Sequence, residues 1–305
     1  MIKSFDEVLE KAKTQGKKKI SVAVAQDEAV LQAVKDAYVN GIADAILVGD
    51  VAKTKEIASK MGIDLSKFEM VNEPNPKKAT TTAVRLVSDG NADMLMKGLI
   101  DTATFLRAVL NKEYGLRTGK LMSHVAVFET PGIDRLLFIT DAAFNMYPEL
   151  KDKIQIIKNA VSVATAVGIE EPKVAPICAV EVVNPNMPAT VDAAIISKMS
   201  QRGQIKGCVI DGPLALDNAL SEDAAKHKNV TGPVAGKADI LLLPNIETAN
   251  VMYKTLTFTT KSKNGCLLVG TSAPVVLTSR NDSHETKMNS IALAALVAEL
   301  QKKNK

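Results

Sequence analysis

The sequence has no tryptophan and only 4% aromatic residues, so it offers few flat side chains on which nucleic-acid bases could stack. Its net charge of +4 is too small to predict binding to DNA or RNA. No apolar run approaches the length of a membrane span, and the first residues lack the apolar core of a signal peptide. We therefore expect neither nucleic acid nor a membrane as a partner.

Cysteine and histidine are also scarce. The three cysteines, Cys178, Cys208 and Cys266, are widely spaced, which gives no disulfide framework and fits a reducing, cytoplasmic location. The three histidines are equally scattered, so the sequence predicts no metal site. Cys178 has no charged neighbour in the sequence that would activate it, and we expect a packed thiol there.

Apolar runs alternate with helical patterns along nearly the whole chain. Continuous apolar strands joined by crossover-length helices are typical of a mostly parallel α/β sheet that is covered on both faces. Thr130-Pro131-Gly132 lies between two closely spaced strands and predicts an antiparallel hairpin. The predicted strands are 20–24, 45–48, 94–96, 125–128, 136–139, 174–177, 207–210, 240–243, 266–269 and 275–277, and the predicted helices lie near 28–40, 51–62, 76–90, 102–112, 150–168, 189–202, 213–227 and 246–256.

Common nucleotide-binding and hydrolase motifs are missing. The chain has no G-x-G-x-x-G after its first strand and no G-x-S-x-G elbow. The segment from Gly115 to Lys120 resembles a phosphate loop, but it is one residue short and Leu121 replaces the usual Ser or Thr. Ligands of open α/β sheets bind beyond the carboxyl ends of the strands, so the polar residues at those ends are the candidates.

Polar residues follow four of the predicted strands before the last one. Several have a plain structural alternative: the two threonines could cap a helix, Arg107 could lie on a solvated face, and Asp141 could form a turn. Two amide side chains and one carboxylate follow strand 240–243, and a helix cap alone does not require so many polar groups. The candidates are Lys97, Thr102, Thr104 and Arg107 after strand 94–96, Asp141 after 136–139, Glu181 and Asn184 after 174–177, and Asn245, Glu247 and Asn250 after 240–243.

The most informative connection runs from Thr278 to Glu285, between the last strand and a helix that we expect to be amphipathic. Free amides at a helix N-terminus attract anions, and Arg280 adds a planar guanidinium suited to phosphate. The structural alternative is a capping box in which Asp282 is the N-cap and Glu285 its partner.

Taken in order, these segments resemble the phosphotransacetylase family of phosphate acyltransferases, and its butyryl branch most closely. The resemblance covers almost the whole chain. Its motifs are Lys97-Gly98-Leu-Ile-Asp101-Thr102-Ala-Thr104-Phe-Leu-Arg107, Ile139-Thr140-Asp141-Ala142, Val183-Asn184-Pro185-Asn186-Met187-Pro188-Ala189-Thr190, Asp211-Gly212-Pro213, Leu243-Pro244-Asn245-Ile246-Glu247-Thr248-Ala249-Asn250-Val-Met-Tyr253-Lys254 and Thr278-Ser279-Arg280.

The resemblance implies an isocitrate/isopropylmalate-dehydrogenase-like fold with two α/β domains flanking a cleft. We expect one domain at 1–118 plus 270–305 and the other at 119–269. The implied reaction converts acyl-CoA and inorganic phosphate into acyl phosphate and coenzyme A, in butanoate metabolism. Coenzyme A is then a substrate, no cofactor or metal is bound, and the chain forms a homo-oligomer.

The resemblance also implies roles for individual residues. Arg280 would bind phosphate, Arg107 would reach the phosphate or the thioester, and Ser279 would stabilise the transition state. Members that use acetyl groups carry a catalytic aspartate seven positions after that serine, where this chain has Thr286. Asp282 is then the preferred base and Glu285 the second choice, because Asp282 precedes position 286 by about one helical turn.

Three alternatives remain open. An acetyl-transferring enzyme is disfavoured by Thr286. A dehydrogenase of the same fold needs clustered metal-binding aspartates, and Asp217 with Asp223 is the only near approach. A non-catalytic acyl-CoA binding protein would also lack the family aspartate.

Overall fold

A computed structural model describes residues 2–279 and 282–304 of the chain. Its strands are β1 (Lys18–Ala23), β2 (Ala43–Gly49), β3 (Glu69–Asn72), β4 (Met94–Lys97), β5 (Ser123–Glu129), β6 (Leu137–Thr140), β7 (Lys173–Pro176), β8 (Val209–Ile210), β9 (Ile240–Leu242), β10 (Lys263–Val269) and β11 (Val275–Val276). Its helices are α1 (Phe5–Thr14), α2 (Glu28–Val39), α3 (Val51–Met61), α4 (Pro76–Ser88), α5 (Thr102–Val109), α6 (Leu150–Val167), α7 (Pro188–Gln201), α8 (Leu216–Leu220), α9 (Glu222–His227), α10 (Ile246–Thr259) and α11 (His284–Lys303).

The chain divides into two compact units. The first unit comprises Phe5–Lys120 and Gly265–Lys305, and the second comprises Met1–Ser4 and Leu121–Asn264. The first unit is therefore built from two distant segments of the chain, and the end of the chain returns to the unit that its beginning forms.

In the first unit the strand order is β3-β2-β1-β4-β11-β10. Every pair in this series is parallel except β11 with β10. The strands β1, β2 and β4 are almost wholly buried, as their continuous apolar runs predict. The parallel arrangement brings the carboxyl ends of β1, β4 and β11 together at one edge of the sheet.

In the second unit the strand order is β5-β6-β9-β7-β8. The strands β5 and β6 form the predicted antiparallel hairpin, and the remaining pairs are parallel. The carboxyl ends of β6, β9 and β7 therefore lie side by side. The strand pairings of both units confirm the predicted α/β class with mostly parallel strands.

The helix α11 is buried all round rather than amphipathic. Every residue from 286 to 298 is buried, and both α1 and α2 pack against the helix. The expectation of a polar face was wrong because its small residues, among them Ser290 and Ala294, fit against neighbouring elements. The Ser290 hydroxyl donates to Thr286 O and accepts from Cys266 N, so this buried polar group is satisfied.

Three features of the fold differ from the sequence pattern. The helix α1 was not predicted, and it covers the core with only Phe5, Val8 and Ala12. The strand β3 was also missed, because it is a short edge strand without a fully buried residue. The single helix predicted at 213–227 is two helices, since Ser221 adopts an extended backbone and caps α9.

The described residues offer neither a membrane span nor a metal-binding cluster. No described helix combines the length and apolar character that a membrane span requires. Within residues 2–279 and 282–304, no cluster of three or more His, Cys, Asp or Glu side chains is placed to hold a metal ion.

We expect Ser283→Ala to lower the free energy of unfolding by about 1 kcal/mol, because Ser283 is the N-cap of α11 and its hydroxyl accepts from Thr286 N. Urea denaturation followed by circular dichroism measures the change. Ser272→Ala, at an exposed position outside the helices, is the control. Equal stability of the two variants would contradict the cap.

Candidate active site

Lys97 lies in the first unit, where the carboxyl ends of three strands meet. It is the last residue of β4 and pairs with Ala23 of β1, while the adjacent Met96 pairs with Val276 of β11. Its side chain is buried. The segments that follow these three strands contain Gly98, Thr278 and Ser279, so residues distant in sequence share one sheet edge.

Val24 and Gly98 form the tightest backbone contact at this edge. Val24 has a left-handed backbone (φ 59°), which is costly for a β-branched residue. Its carbonyl accepts from Leu99 N at 2.8 Å. A Cβ on Gly98 would lie 2.3 Å from Val24 O, so only glycine fits there. No sequence signal identified Val24, because its backbone angle depends on this contact.

The helix α5 presents two of the predicted residues to solvent. Its N-cap is Asp101, whose carboxylate accepts from Thr104 N at 2.8 Å. The alternative that Thr102 or Thr104 caps this helix is therefore wrong. Thr102 and Arg107 are exposed, and Thr104 is half-buried. Thr102 and Arg107 are thus accessible to a ligand.

Ser279 and Asp282 are linked by two hydrogen bonds in the connection before α11. The Asp282 carboxylate accepts from Ser279 N at 2.7 Å, and Asp282 N donates to Ser279 O at 3.3 Å. The N-cap of α11 is Ser283, so the predicted capping box of Asp282 with Glu285 is wrong. Glu285 is exposed, and Arg280 lies outside the described residues.

Thr286 and Lys287 are both buried at the start of α11. The Thr286 hydroxyl lies 3.2 Å from the Ser283 hydroxyl, so it belongs to the helix cap. The Lys287 ammonium donates to Asp282 O at 2.6 Å and to Ser279 O at 3.4 Å. Burial lowers the pKa of Lys287, and the charges of Asp282 and Asp27 oppose that shift. The sequence did not single out Lys287, because a lysine in a helix normally lies on a solvated face.

In the second unit, the Asp141 carboxylate is surrounded by donors. It is 3% exposed and accepts from the backbone N–H groups of His124, Ala143, Phe144 and Asn145. The Asn145 side-chain amide adds a fifth bond at 2.7 Å. These contacts agree with the alternative that Asp141 forms a turn, because its carboxylate holds the segment after β6 in one conformation.

Glu181 and Asn184 lie in the loop after β7 but make different contacts. Glu181 lies 3.5 Å from the Lys228 ammonium and accepts from the Asn218 amide at 3.4 Å. The Asn184 side chain accepts from Asn186 N and thereby forms a local turn. Both residues shape this loop.

The residues after β9 are placed by the start of α10. Asn245 is the N-cap and accepts from Thr248 N at 2.9 Å. The Glu247 carboxylate accepts from the Tyr147 hydroxyl, and the Asn250 amide donates to Ala142 O at 3.0 Å. These two contacts join α10 to the segment that Asp141 organises, so the structure brings Asp141, Glu247 and Asn250 into one region.

Two cysteine thiols are poor nucleophile candidates. Burial raises the pKa of Cys178 to about 11 and that of Cys208 to about 11. A thiol with so high a pKa is almost entirely protonated near neutral pH. The prediction that Cys178 is packed agrees with its burial.

With this geometry in view, the chain was compared with known proteins. The family model "Phosphate acetyl/butaryl transferase" matches residues 4–81 and 68–295. A phosphate butyryltransferase of Clostridium acetobutylicum is 74% identical over 98% of this chain and 99% of its own length. The phosphate butyryltransferase of Clostridium beijerinckii is 71% identical over the same shares.

Solved structures give the same relationship. A branched-chain phosphotransacylase from Enterococcus faecalis superposes with a TM-score of 0.82 at 35% identity, covering 92% of this chain and 99% of that protein. A 4-hydroxythreonine-4-phosphate dehydrogenase from Klebsiella pneumoniae has a TM-score of 0.50 at 13% identity over 93% of this chain and 100% of its own, which indicates a related fold alone. The chain belongs to the phosphate acetyl/butyryl transferase family.

Proposed function

We propose that this chain is a phosphate butyryltransferase, which transfers a short acyl group reversibly between coenzyme A and inorganic phosphate. The observation that carries the proposal is the near-full-length identity to two phosphate butyryltransferases. Acyl-CoA, phosphate and acyl phosphate are then the ligands. An acetyl preference is the alternative within the family, and Thr286 stands where acetyl-transferring members carry their aspartate.

The reaction is a displacement at the thioester carbonyl. A phosphate oxygen attacks the carbonyl carbon, the C–O bond forms through a tetrahedral oxyanion, and the C–S bond breaks to release the coenzyme A thiolate. The site must therefore bind an anion, stabilise the oxyanion and manage the proton of the thiol. Direct transfer needs no acyl-enzyme, and the raised pKa values of Cys178 and Cys208 suit that mechanism.

We assign phosphate binding to Arg280 and transition-state stabilisation to Ser279. Ser279 is exposed, which leaves its hydroxyl accessible to a ligand. Arg107 is also exposed and is assigned to the phosphate or the thioester end. Lys97, Thr102 and Thr104 belong to the same unit and would add polar contacts at the strand ends. These roles follow from the family motifs, and the exposure of Ser279 and Arg107 supports them.

We assign the base to Asp282 rather than to Glu285. Asp282 contacts Ser279 directly through its carboxylate, whereas Glu285 is exposed on the first turn of α11. A free thiol with a pKa near 8.5 is already about 3% ionised at pH 7, so selecting the thiolate from solution costs only about 2 kcal/mol. A weak base therefore suffices, and position 286 does not have to supply it; the Thr286 hydroxyl belongs to the helix cap.

The residues of the second unit are proposed to contact the acyl-CoA. Glu247 and Asn250 lie on α10, whose N-cap is Asn245. Asn250 donates to Ala142 O, so both residues lie in one region with Asp141. Glu181 and Asn184 shape the loop after β7. Asp141 would act by holding its loop, since its carboxylate already accepts five hydrogen bonds.

We further propose a cytoplasmic homo-oligomer that needs no bound cofactor. The three buried cysteines, which the sequence spaces too widely for a disulfide framework, suit a reducing compartment. The helix α10 supports assembly: within this fully described helix only Ala249 is buried, while Val251 is 65% and Phe258 72% exposed. Apolar side chains exposed in this way often mark a protein interface.

The wild-type protein should release coenzyme A from butyryl-CoA only when phosphate is present. The rate with acetyl-CoA should be lower by at least about tenfold, because butyryl has two more methylenes than acetyl and one methylene already changes binding by about 1–3 kcal/mol. A thiol-reactive dye measures both reactions. An acetyl preference would move the chain to the other branch of the family, and release independent of phosphate would contradict the transferase.

Ser279→Ala and Arg280→Ala should change different kinetic constants of the reaction. Loss of the serine should lower kcat by about 100-fold to 1,000-fold, because one oxyanion donor is removed. Loss of the arginine should raise the KM for phosphate by at least about tenfold as well as slow the reaction. Steady-state kinetics at varied phosphate distinguish the two, with Ser272→Ala as control. Unchanged phosphate kinetics in Arg280→Ala would remove Arg280 from the phosphate site.

Light scattering coupled to size-exclusion chromatography should give a mass that is a multiple of the 32.5 kDa chain. Phe258→Asp should weaken the assembly, because it places a charge in the proposed interface. Lys302→Met, on the exposed end of α11, is the matched surface control. A single-chain mass for the wild-type protein would overturn the oligomer.

A further inference from the structure

Lys287 is the charged group of the candidate site that the proposed mechanism leaves without a role. It is 3% exposed and lies in the first turn of α11. Its ammonium donates to Asp282 O at 2.6 Å and to Ser279 O at 3.4 Å. Both acceptors are backbone carbonyls of the residues to which we assign the base and the oxyanion donor.

Burial of the Lys287 ammonium carries a desolvation cost that a lysine on the surface avoids. Moving an ammonium group out of water carries a penalty of several kcal/mol, and apolar residues of similar volume often replace buried charges without loss of stability. The neighbouring side of α11 is filled by Met288, Ile291 and Ala292, so an apolar residue at 287 would suit the core. Packing alone therefore does not explain the lysine.

The surrounding groups show how the charge is tolerated. Asp282 on the same connection and Asp27, the N-cap of α2, favour the charged form of Lys287 and so oppose the effect of burial. Two carbonyl oxygens accept hydrogen bonds from the ammonium. The Lys287 ammonium is therefore buried and donates to two backbone carbonyl oxygens rather than to solvent.

Ser279 and Asp282 lie in the connection between β11 and α11. Neither residue belongs to a helix or strand, and Ser279 is exposed. The pair is closed by the bond from Ser279 N to the Asp282 carboxylate and by the long 3.3 Å bond from Asp282 N to Ser279 O. Lys287 adds a contact to both backbones from α11, whose residues 286 to 298 are all buried.

We propose that Lys287 is a positioning residue for acyl transfer: its buried ammonium fastens the backbones of Ser279 and Asp282 to α11 and thereby fixes the Ser279 hydroxyl. The inference rests on the proposed function, because it assumes that Ser279 acts on the reacting thioester. Lys287 itself touches neither the acyl group nor the phosphate in this account. A displacement of about 1 Å in such a group lowers a rate by about 100-fold.

The test is Lys287→Met, which keeps the length and apolar stem of the side chain and removes its donors. We expect kcat for phosphate-dependent release of coenzyme A to fall by about 100-fold, while the KM for butyryl-CoA changes by less than about threefold. The melting temperature should stay within about 3 °C of wild type or rise. Lys302→Met, at the exposed end of the same helix, should match wild type in all three.

The possible outcomes distinguish a positioning role of Lys287 from a role in folding stability alone. A rate that falls only in proportion to the loss of folded protein, or that stays within about threefold of wild type, overturns the proposal. Lys287→Arg, which keeps the charge and donors, should recover at least about tenfold of the lost rate, and equal rates for the Arg and Met variants also overturn it. If Lys287→Met fails to fold, Lys287→Gln is judged by the same criteria.

A second measurement does not depend on catalysis. Amide hydrogen exchange of a peptide spanning residues 278–284 should be faster in Lys287→Met than in wild type, and exchange in α10 should be unchanged. If wild type lacks phosphate-dependent activity, the proposed function fails and the exchange measurement still decides whether Lys287 fastens this backbone. Active wild type with unaltered exchange and rate in the variant overturns only the role of Lys287.

Discussion

The first unit depends on the burial of α11. Every residue from 286 to 298 is buried, so the helix cannot shift without disturbing α1, α2 and the sheet at once. Because the helix begins only a few residues after β11, its packing also determines where the Ser279–Asp282 pair lies. The last segment of the chain thus serves as part of the core and as the support of the candidate site.

Local hydrogen bonds divide the candidate polar residues of each unit into those that restrain the backbone and those that are exposed. Asp101, Asp141 and Asn245 accept from backbone N–H groups and hold loops or helix starts in one conformation. Ser279 and Arg107 are exposed and can meet a ligand. Such a division is expected of a preorganised site, in which satisfied groups restrain the loops and exposed groups contact the reactants.

Lys287 makes a different kind of contact, from the first turn of α11 to the residues that precede the helix. A buried ammonium bound to backbone carbonyls costs free energy that a methionine would not, and its acceptors belong to Ser279 and Asp282, to which we assign the oxyanion donor and the base. The left-handed Val24 against Gly98 is a second strained contact at the same sheet edge. Departures from the most stable choice therefore gather where the family motifs lie, as is common at functional sites.

The sequence by itself determined the α/β class, most strands and helices, the β5–β6 hairpin and the family motifs. These follow from local apolar periodicity and from residues adjacent in the chain, so they need no knowledge of distant contacts. Short elements with weak patterns, such as α1 and β3, lacked that local signal and were missed.

Tertiary structure alone decided the properties that depend on neighbours far along the chain. The pattern Met288, Ile291 and Leu296 is the same for a helix that is half or wholly buried, and only the packing of α1 and α2 buries α11 all round. The choice of Ser283 over Asp282 as N-cap arose because the Asp282 carboxylate binds Ser279 N. Lys287 reads in the sequence as a surface lysine, and it becomes a buried donor only because the strand end and the helix start meet around it.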